Sequence, residues 1–337
     1  MAQDETPLVS VIIPNYNNAR YIETCLDSIY DDDYSELEVI VVDDGSSDGS
    51  LEVIQRWRES HPVRFRAFQV YQQENQGTCR TLNRLVSLAK GEFIAPIAGD
   101  DYFLPGGIRA RVDALCMHPD WLAIFGSCIF VDAHGALAND EISSLFEANK
   151  QALASPRFVA SELILRWSVP GPSFMARRAC YDPNLGIGLY NEELILVEDR
   201  DFYLRLLSRR ALGFIDVPVG AYRFHQASVS RRQDVSKSVM LSLHRSESDH
   251  IADFSGLSGF WLRVMSLRGV TRLKYYDNRS LVNTALHVAS SLGVRVAYLV
   301  HTIIFQLYQA MVKARLQMYH VPVVKRFAKL FGWNLVQ

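Results

Sequence analysis

The chain has 337 residues, 49% hydrophobic and 21% charged, with a formal net charge of −2. It can bury a sizeable core as one large domain or a domain with an appendage. The near-neutral balance gives no reason to expect a nucleic-acid partner. Five cysteines (Cys25, Cys79, Cys116, Cys128 and Cys180) are odd in number and widely scattered. With no CxxC pair and no HExxH spacing, the expectation is a reduced, cytoplasmic protein without structural zinc. The acidic start "MAQDETPLVS" runs straight into a strand-like segment, so no secretory signal is expected. The sequon at Asn278 therefore carries little weight.

The first hundred residues alternate strand and helix. "LVSVIIP" reads as a buried strand and "ARYIETCLDSIY" as an amphipathic helix. "LEVIVVD" is a second strand, and the turn "DGSSDGS" leads into the helical "LEVIQRWRES". "VRFRAFQVY" predicts a third strand, "GTCRTLNRLVSLAKG" a helix closed by Gly91, and "EFIAPIA" a fourth strand. Continuous apolar strands separated by helices predict a mostly parallel α/β sheet covered by helices on both faces.

In such sheets ligands bind beyond the C-terminal strand ends. Asn15, Tyr16 and Asn17 follow the first strand, Asp43 and Asp44 the second, and Asp100 and Asp101 the fourth. Three polar clusters at matching topological positions are expected to share one edge of the sheet. Further on, "WLAIFGSCIFVDAHG" and "GPSFMARRACYD" read as strands and "PRFVASELILRW" as a helix. "VEDRDFYLRLLSRRALG" is an amphipathic helix with acids at its start, and "FIDVPVGAYRFHQASVS" is a strand and loop. After about residue 235 the pattern is helical, so the expected division is residues 1–235 and a helical region, 236–337.

The ordered segments "VSVIIPNYNNARYIETCLDSI", "EVIVVDDGSSDGS", "ENQGTCRTLN", "GDDYFLP", "EDRDFYLRL" and "YRFH" resemble glycosyltransferase family 2 over roughly residues 8–230. The resemblance implies a GT-A (Rossmann-like) fold and an inverting transferase that uses a nucleoside-diphosphate sugar. It implies that Pro14, Asn15, Tyr16, Asn17 and Asp43 hold the base and ribose, with Gly77 and Arg80 reaching the nucleotide. It implies Mg²⁺ or Mn²⁺ on Asp100, helped by Asp101 and His225, with Arg223 near the diphosphate. Asp199, in a pair with Glu198, would be the catalytic base.

The chemistry wants these residue types. A hard cation on oxygen ligands neutralises the charge that develops on a diphosphate leaving group. One carboxylate suffices as general base, because the displacement is a single inversion. At a helix start Asp199 is expected to stay ionised at neutral pH.

Two departures from the family pattern matter. Ala98 stands where the fuller metal motif carries an aspartate, which weakens the metal set. The QxxRW motif of processive synthases is absent after the ED pair, and Arg166–Trp167 precedes it with Leu163 in the glutamine position. Addition of a single sugar is therefore expected, to a saccharide or lipid-linked saccharide, in cell-surface polysaccharide or glycolipid assembly. The alternatives are a nucleotidyltransferase on a similar sheet and a non-catalytic nucleotide-sugar-binding scaffold. No Gly-rich, Lys-bearing triphosphate loop supports the first, and the retained ED pair opposes the second.

Plainer readings attach to other residues. Asp31–Asp33 are expected to be a solvated helix end, and Arg177 and Arg178 either contacts for an anionic acceptor or solvated surface. From Trp261 onward there are eleven Lys or Arg and one acid, Asp277. "VAYLVHTIIFQLYQAMV" is slightly short for a membrane span, whereas "VPVVKRFAKLFGW" combines cations with Phe, Leu and Trp as an interfacial helix does. Peripheral attachment to an anionic membrane on the cytoplasmic face is expected, the alternative being a packed helical subdomain or homo-oligomer interface.

Overall fold

The computed structural model describes residues 6–62, 64–138, 147–185, 187–226, 236–277 and 280–313. The sequon at Asn278, and Arg315, Lys325, Arg326 and Lys329 of the basic tail, lie outside the described residues. The chain divides into two compact units that each take several stretches of sequence. The first is Met1–Glu147, Ser168–Glu192 and Ala211–Arg231; the second is Ala148–Trp167, Glu193–Arg210 and Arg232–Gln337.

The first unit holds the sheet. Its strands are β1 (Val9–Asn15), β2 (Leu37–Asp43), β3 (Ala67–Gln72), β4 (Phe93–Pro96), β5 (Tyr102–Phe103), β6 (Ala123–Val131), β7 (Phe174–Arg177) and β8 (Leu212–Arg223). Helices α1 (Ile22–Tyr30), α2 (Ser50–Ser60), α3 (Thr78–Leu88) and α4 (Gly107–Met117) connect them. The order across the sheet is β3-β2-β1-β4-β7-β6-β8-β5. The β3-β2-β1-β4 half is wholly parallel, as continuous apolar runs joined by helices require. β2 is buried along its whole length, between two parallel neighbours and under helices on its faces.

The other half is mixed. β7 runs antiparallel to β4 and β6, and β5 runs antiparallel to β8. β5 has only two residues, too few for a periodic signal in the sequence, and its pairing partner lies over a hundred residues downstream. Helix α4 likewise is not signalled by the apolar pattern around it. Its Arg111 is fully buried and donates to the carbonyls of Gly107, Pro172 and Phe174, so a cation occupies a core position. The main core packs Val9, Val11 and Ile13 of β1 and Val39 and Val41 of β2 against Cys25, Leu26 and Ile29 of α1.

Asp32 departs from the expected solvated helix end. It is 3% exposed, its Oδ1 accepts the Tyr34 N–H at 2.9 Å, and burial raises its carboxyl pKa. Its local turn draws it inward, although Asp31 and Asp33 stay at the surface.

The second unit is helical: α5 (Lys150–Leu153), α6 (Val159–Leu165), α7 (Glu198–Ser208), α8 (Ser236–Asp249), α9 (Gly256–Asp277) and α10 (Leu281–Lys313). The segments 148–167 and 193–210 thus group with the C-terminal helices instead of with the sheet. Two buried polar hubs tie them. Glu162 of α6 accepts from His301 Nε2 at 3.0 Å and the Tyr298 hydroxyl at 2.9 Å, both on α10. Arg200 of α7 donates to the Leu163 and Ile164 carbonyls and meets Glu247 of α8 at 3.3 Å. A hydrophobicity pattern carries no trace of either pairing. Helix α10 is continuous, so its stretch Asn283–Gln309 is long and apolar enough to cross a membrane by length and composition. The shorter window read from the sequence is part of this helix.

Candidate functional site

The C-terminal edge of the sheet gathers the expected residues of the first unit. β1 and β2 pair in register, so their last residues, Asn15 and Asp43, are direct neighbours. Asn15 Nδ2 donates to Asp43 Oδ1 at 2.8 Å, and Asp43 also accepts from the Ser46 N–H and hydroxyl. Both residues are fully buried. Asn15 Oδ1, by contrast, is a buried acceptor without a partner. It faces Gly99, where a Cβ would lie 2.5 Å from it.

The two strand-end loops are laced together. Asn17, at φ 55°, is held in the left-handed region by its Oδ1 accepting from Ser47 N–H and its own N–H donating to Ser46. Asp48 accepts the Ala19 N–H at 2.8 Å and Ser50 the Asn18 N–H. Pro14 is the penultimate residue of β1, and Tyr16 is left 37% exposed beside this platform.

Asp44 fixes the next loop. Its carboxylate accepts from Gln73 Nε2, the Gln76 N–H and the Gly77 N–H, all within 2.9 Å. Gly77 stands at φ +87° at the start of α3, a conformation that suits glycine. Arg80, one turn on, meets Glu192 at 3.2 Å while 58% of its side chain stays exposed.

The Asp100–Asp101 pair is reached from β8. Because β5 pairs with β8, Tyr102 lies opposite Ala221 and Arg223 comes alongside the two aspartates. The Arg223 N–H donates to Asp101 Oδ1 at 2.8 Å, and its Nε donates to the Asp100 carbonyl. His225 Nε2 lies 2.9 Å from Asp100 Oδ2, and its ring packs 4.8 Å from that of Tyr21. The Arg223 guanidinium sits between the Tyr21 and Tyr102 rings, at 4.9 and 5.5 Å.

The expected three-ligand metal set does not form. Asp101 is 3% exposed, and its carboxylate is engaged by the β8 backbone. Burial, then the adjacent Asp100 charge, push its carboxyl well above the usual carboxylate range. Among the described residues no three His, Cys, Asp or Glu side chains cluster to hold an ion. Asp100 and His225 remain as a two-ligand set, which suits a hard cation completing its shell from phosphate oxygens and water.

In the second unit, Glu198 and Asp199 open α7. Asp199 Oδ1 accepts the Arg200 N–H at 2.7 Å. Burial, then the Glu198 charge, raise the Asp199 carboxyl well above its ordinary range. The helix start alone predicted an ionised group; desolvation outweighs the dipole here.

Residues 10–130 match the family described as Glycosyl transferase family 2. Over these residues the chain is similar to that family. EpsH of Bacillus subtilis (strain 168), named as a glycosyltransferase, is 27% identical over 229 residues. That alignment covers 68% of this chain and 64% of EpsH, so the chain spans under two thirds of that relative. Among solved structures, the 1–349 portion of S. aureus TarS in complex with UDP-GlcNAc aligns with a TM-score of 0.61 at 19% identity, covering 86% of this chain and 81% of that one. The mannosyltransferase PcManGT of Pyrobaculum calidifontis, in complex with GDP-Man and Mn2+, aligns at 0.57 and 20% identity, covering 99% and 86%. The sheet therefore has the GT-A fold.

Several residues at this edge of the sheet were not singled out by sequence reasoning: Ser46, Asp48, Gln73, Tyr21 and Glu192. Ser46 and Asp48 had a signal, the Ser/Asp alternation of "DGSSDGS". Glu192 and Tyr21 had none, since their partners are distant in sequence.

Proposed function

We propose that the chain is an inverting glycosyltransferase that moves one sugar from a nucleoside-diphosphate sugar to a hydroxyl acceptor. The observation that carries this reading is the convergence of Asn15–Asp43 and Asp100–His225 on one edge of the GT-A sheet. Asp43, already oriented by Asn15 and Ser46, is poised to accept from ribose hydroxyls or a base N–H. The partnerless Asn15 Oδ1 is a second acceptor there, and exposed Tyr16 offers a face for the base. Gly77 and Arg80 stand at the start of α3, on the loop fixed by Asp44, where Arg80 offers a cation to phosphate.

Asp100 and His225 would hold a divalent cation, Mg²⁺ or Mn²⁺, jointly with the donor diphosphate. When bound, such an ion neutralises charge on the leaving nucleotide. Arg223, fixed by the Asp100 carbonyl and two aromatic rings, adds positive charge beside the same carboxylates. Asp199 is the proposed general base. Its raised pKa supports this role, because a base titrating nearer the working pH accepts an acceptor hydroxyl's proton more readily. Glu198 contributes by raising that pKa.

The acceptor is proposed to be a saccharide or lipid-linked saccharide in cell-surface assembly on the cytoplasmic side. The eleven-to-one basic balance beyond Trp261 supports peripheral attachment to an anionic membrane surface. The test is a thermal-shift and turnover panel of UDP, GDP, CDP and dTDP sugars with and without Mn²⁺. One nucleotide should raise the melting temperature by mass action, and the product should carry the inverted anomer. No stabilisation by any of them, or retention of configuration, overturns the reading.

A further inference from the structure

Helices α9 and α10 enclose a groove of about 590 Å³. Trp261, Val264 and Leu267 of α9 face Val296, Val300 and Ile304 of α10 across it. Leu267 and Val296 are 66% and 52% exposed, so the lip opens to solvent. The apolar surface continues along α10 through Val288, Leu292, Leu299, Ile303 and Leu307, all exposed. A contiguous apolar surface of this kind marks an interaction site.

The groove is not purely apolar. Two residues lining it carry buried N–H donors without an acceptor among the described residues, Trp261 Nε1 and Arg268 Nε. Burial, then the nearby cation Arg272, lower the Arg268 pKa, and Glu247 offsets them only in part. Burial, then the Arg272 and Arg268 charges, lower the pKa of His287 on α10. Positive charge and unsatisfied donors thus accumulate beside a hydrocarbon-lined slot. Their complement is an anionic head on an apolar chain.

We propose that this groove seats the hydrocarbon chain of a phosphate-bearing membrane lipid, with Arg268 and Trp261 donating to headgroup oxygens. Charge separates this occupant from others. Residues 314–337 of the chain carry Arg315, Lys325, Arg326 and Lys329 and no acid, so they repel Arg268 and Arg272. A second copy would present the same basic surface. The groove's volume suits one small-molecule-sized ligand, which distinguishes it from general adsorption by basic residues. The proposal does not depend on the donor chemistry of the sheet.

The test is co-sedimentation of the full chain with phosphatidylcholine vesicles, with and without phosphatidylglycerol. Gly293 lines the groove, and a Cβ there meets nothing within 4 Å, so Gly293→Phe adds a bulky side chain at the groove with no clash at its Cβ. It also replaces a helix-interior glycine with a better helix former. The wild type should pellet with the anionic vesicles only, and Gly293→Phe and Arg268→Gln should each weaken that binding about tenfold. Melting curves should show both variants folded. Wild-type binding by a folded Gly293→Phe overturns the proposal, because adsorption by surface cations ignores the groove. A changed oligomeric state with unchanged vesicle binding overturns it too, assigning the groove to a second copy.

Discussion

His225 Nε2 stands 2.9 Å from Asp100 Oδ2, although 125 residues separate them along the chain. The contact exists because two-residue β5 pairs with β8 immediately after the aspartates. A cation there would draw on both side chains at once. Asp100→Asn is expected to lower transfer by about a hundredfold or more and to erase the Mn²⁺-dependent part of the donor's thermal shift. His225→Ala should weaken the metal dependence in the same direction. Activity that survives EDTA unchanged would falsify the metal role.

Gly99 gives a steric prediction. A Cβ at this position lies 2.5 Å from Asn15 Oδ1. Gly99→Ala must displace the amide that orients Asp43, at a cost of about 1–3 kcal/mol of overpacking. Both the melting temperature and nucleotide affinity should fall, read by calorimetry. If only stability fell, Asn15 would be a structural residue.

Asp199 links catalysis, pH and stability. Asp199→Asn should cut transfer by about 10²–10⁴-fold while leaving donor binding intact. In the wild type the acid limb of the rate profile should lie above the ordinary carboxylate range, because protonation of the raised group removes the base. The folded state holds this proton more tightly than the unfolded chain does. Stability is therefore lost as pH rises from the ordinary carboxylate value through the raised one. Asp199→Asn should consequently melt higher than wild type at neutral pH, with the gap closing in acid. A neutral-pH variant that melts lower would argue that the carboxylate is well solvated.

His250 follows the same direction with pH, but through contacts that stabilise the fold. Burial lowers its pKa, but the hydrogen bonds it donates to Asp201 at 3.0 Å and Asp253 at 2.9 Å outweigh it and raise the result. Its stabilisation is full below the ordinary histidine value and is lost as pH rises through the raised one. Urea midpoints should show His250→Ala destabilised by about 1–3 kcal/mol in mild acid and by less at alkaline pH. Equal losses at both pH values would mean the ion pairs contribute nothing.

What could be read beforehand follows the range of the interactions. The β1-α1-β2-α2 alternation was legible because apolar periodicity is local, and so were Asn15 and Asp43 as neighbouring strand ends. The bond from the Arg223 N–H to Asp101 has no local signal, because it depends on a pairing across more than a hundred residues. Asp199 was placed correctly at a helix start, but its charge state answers to burial, which no pattern along the chain reports.

By itself, the order of residues determined a parallel half-sheet and the loops at its ends, since each is encoded within a few dozen neighbouring positions. Only the tertiary structure decided that 148–167 and 193–210 join the C-terminal helices, through Glu162 and Arg200. It also decided which carboxylates remain for a ligand and which the fold consumes. Desolvation and long-range hydrogen bonding set those outcomes, and both arise only when distant segments are packed together.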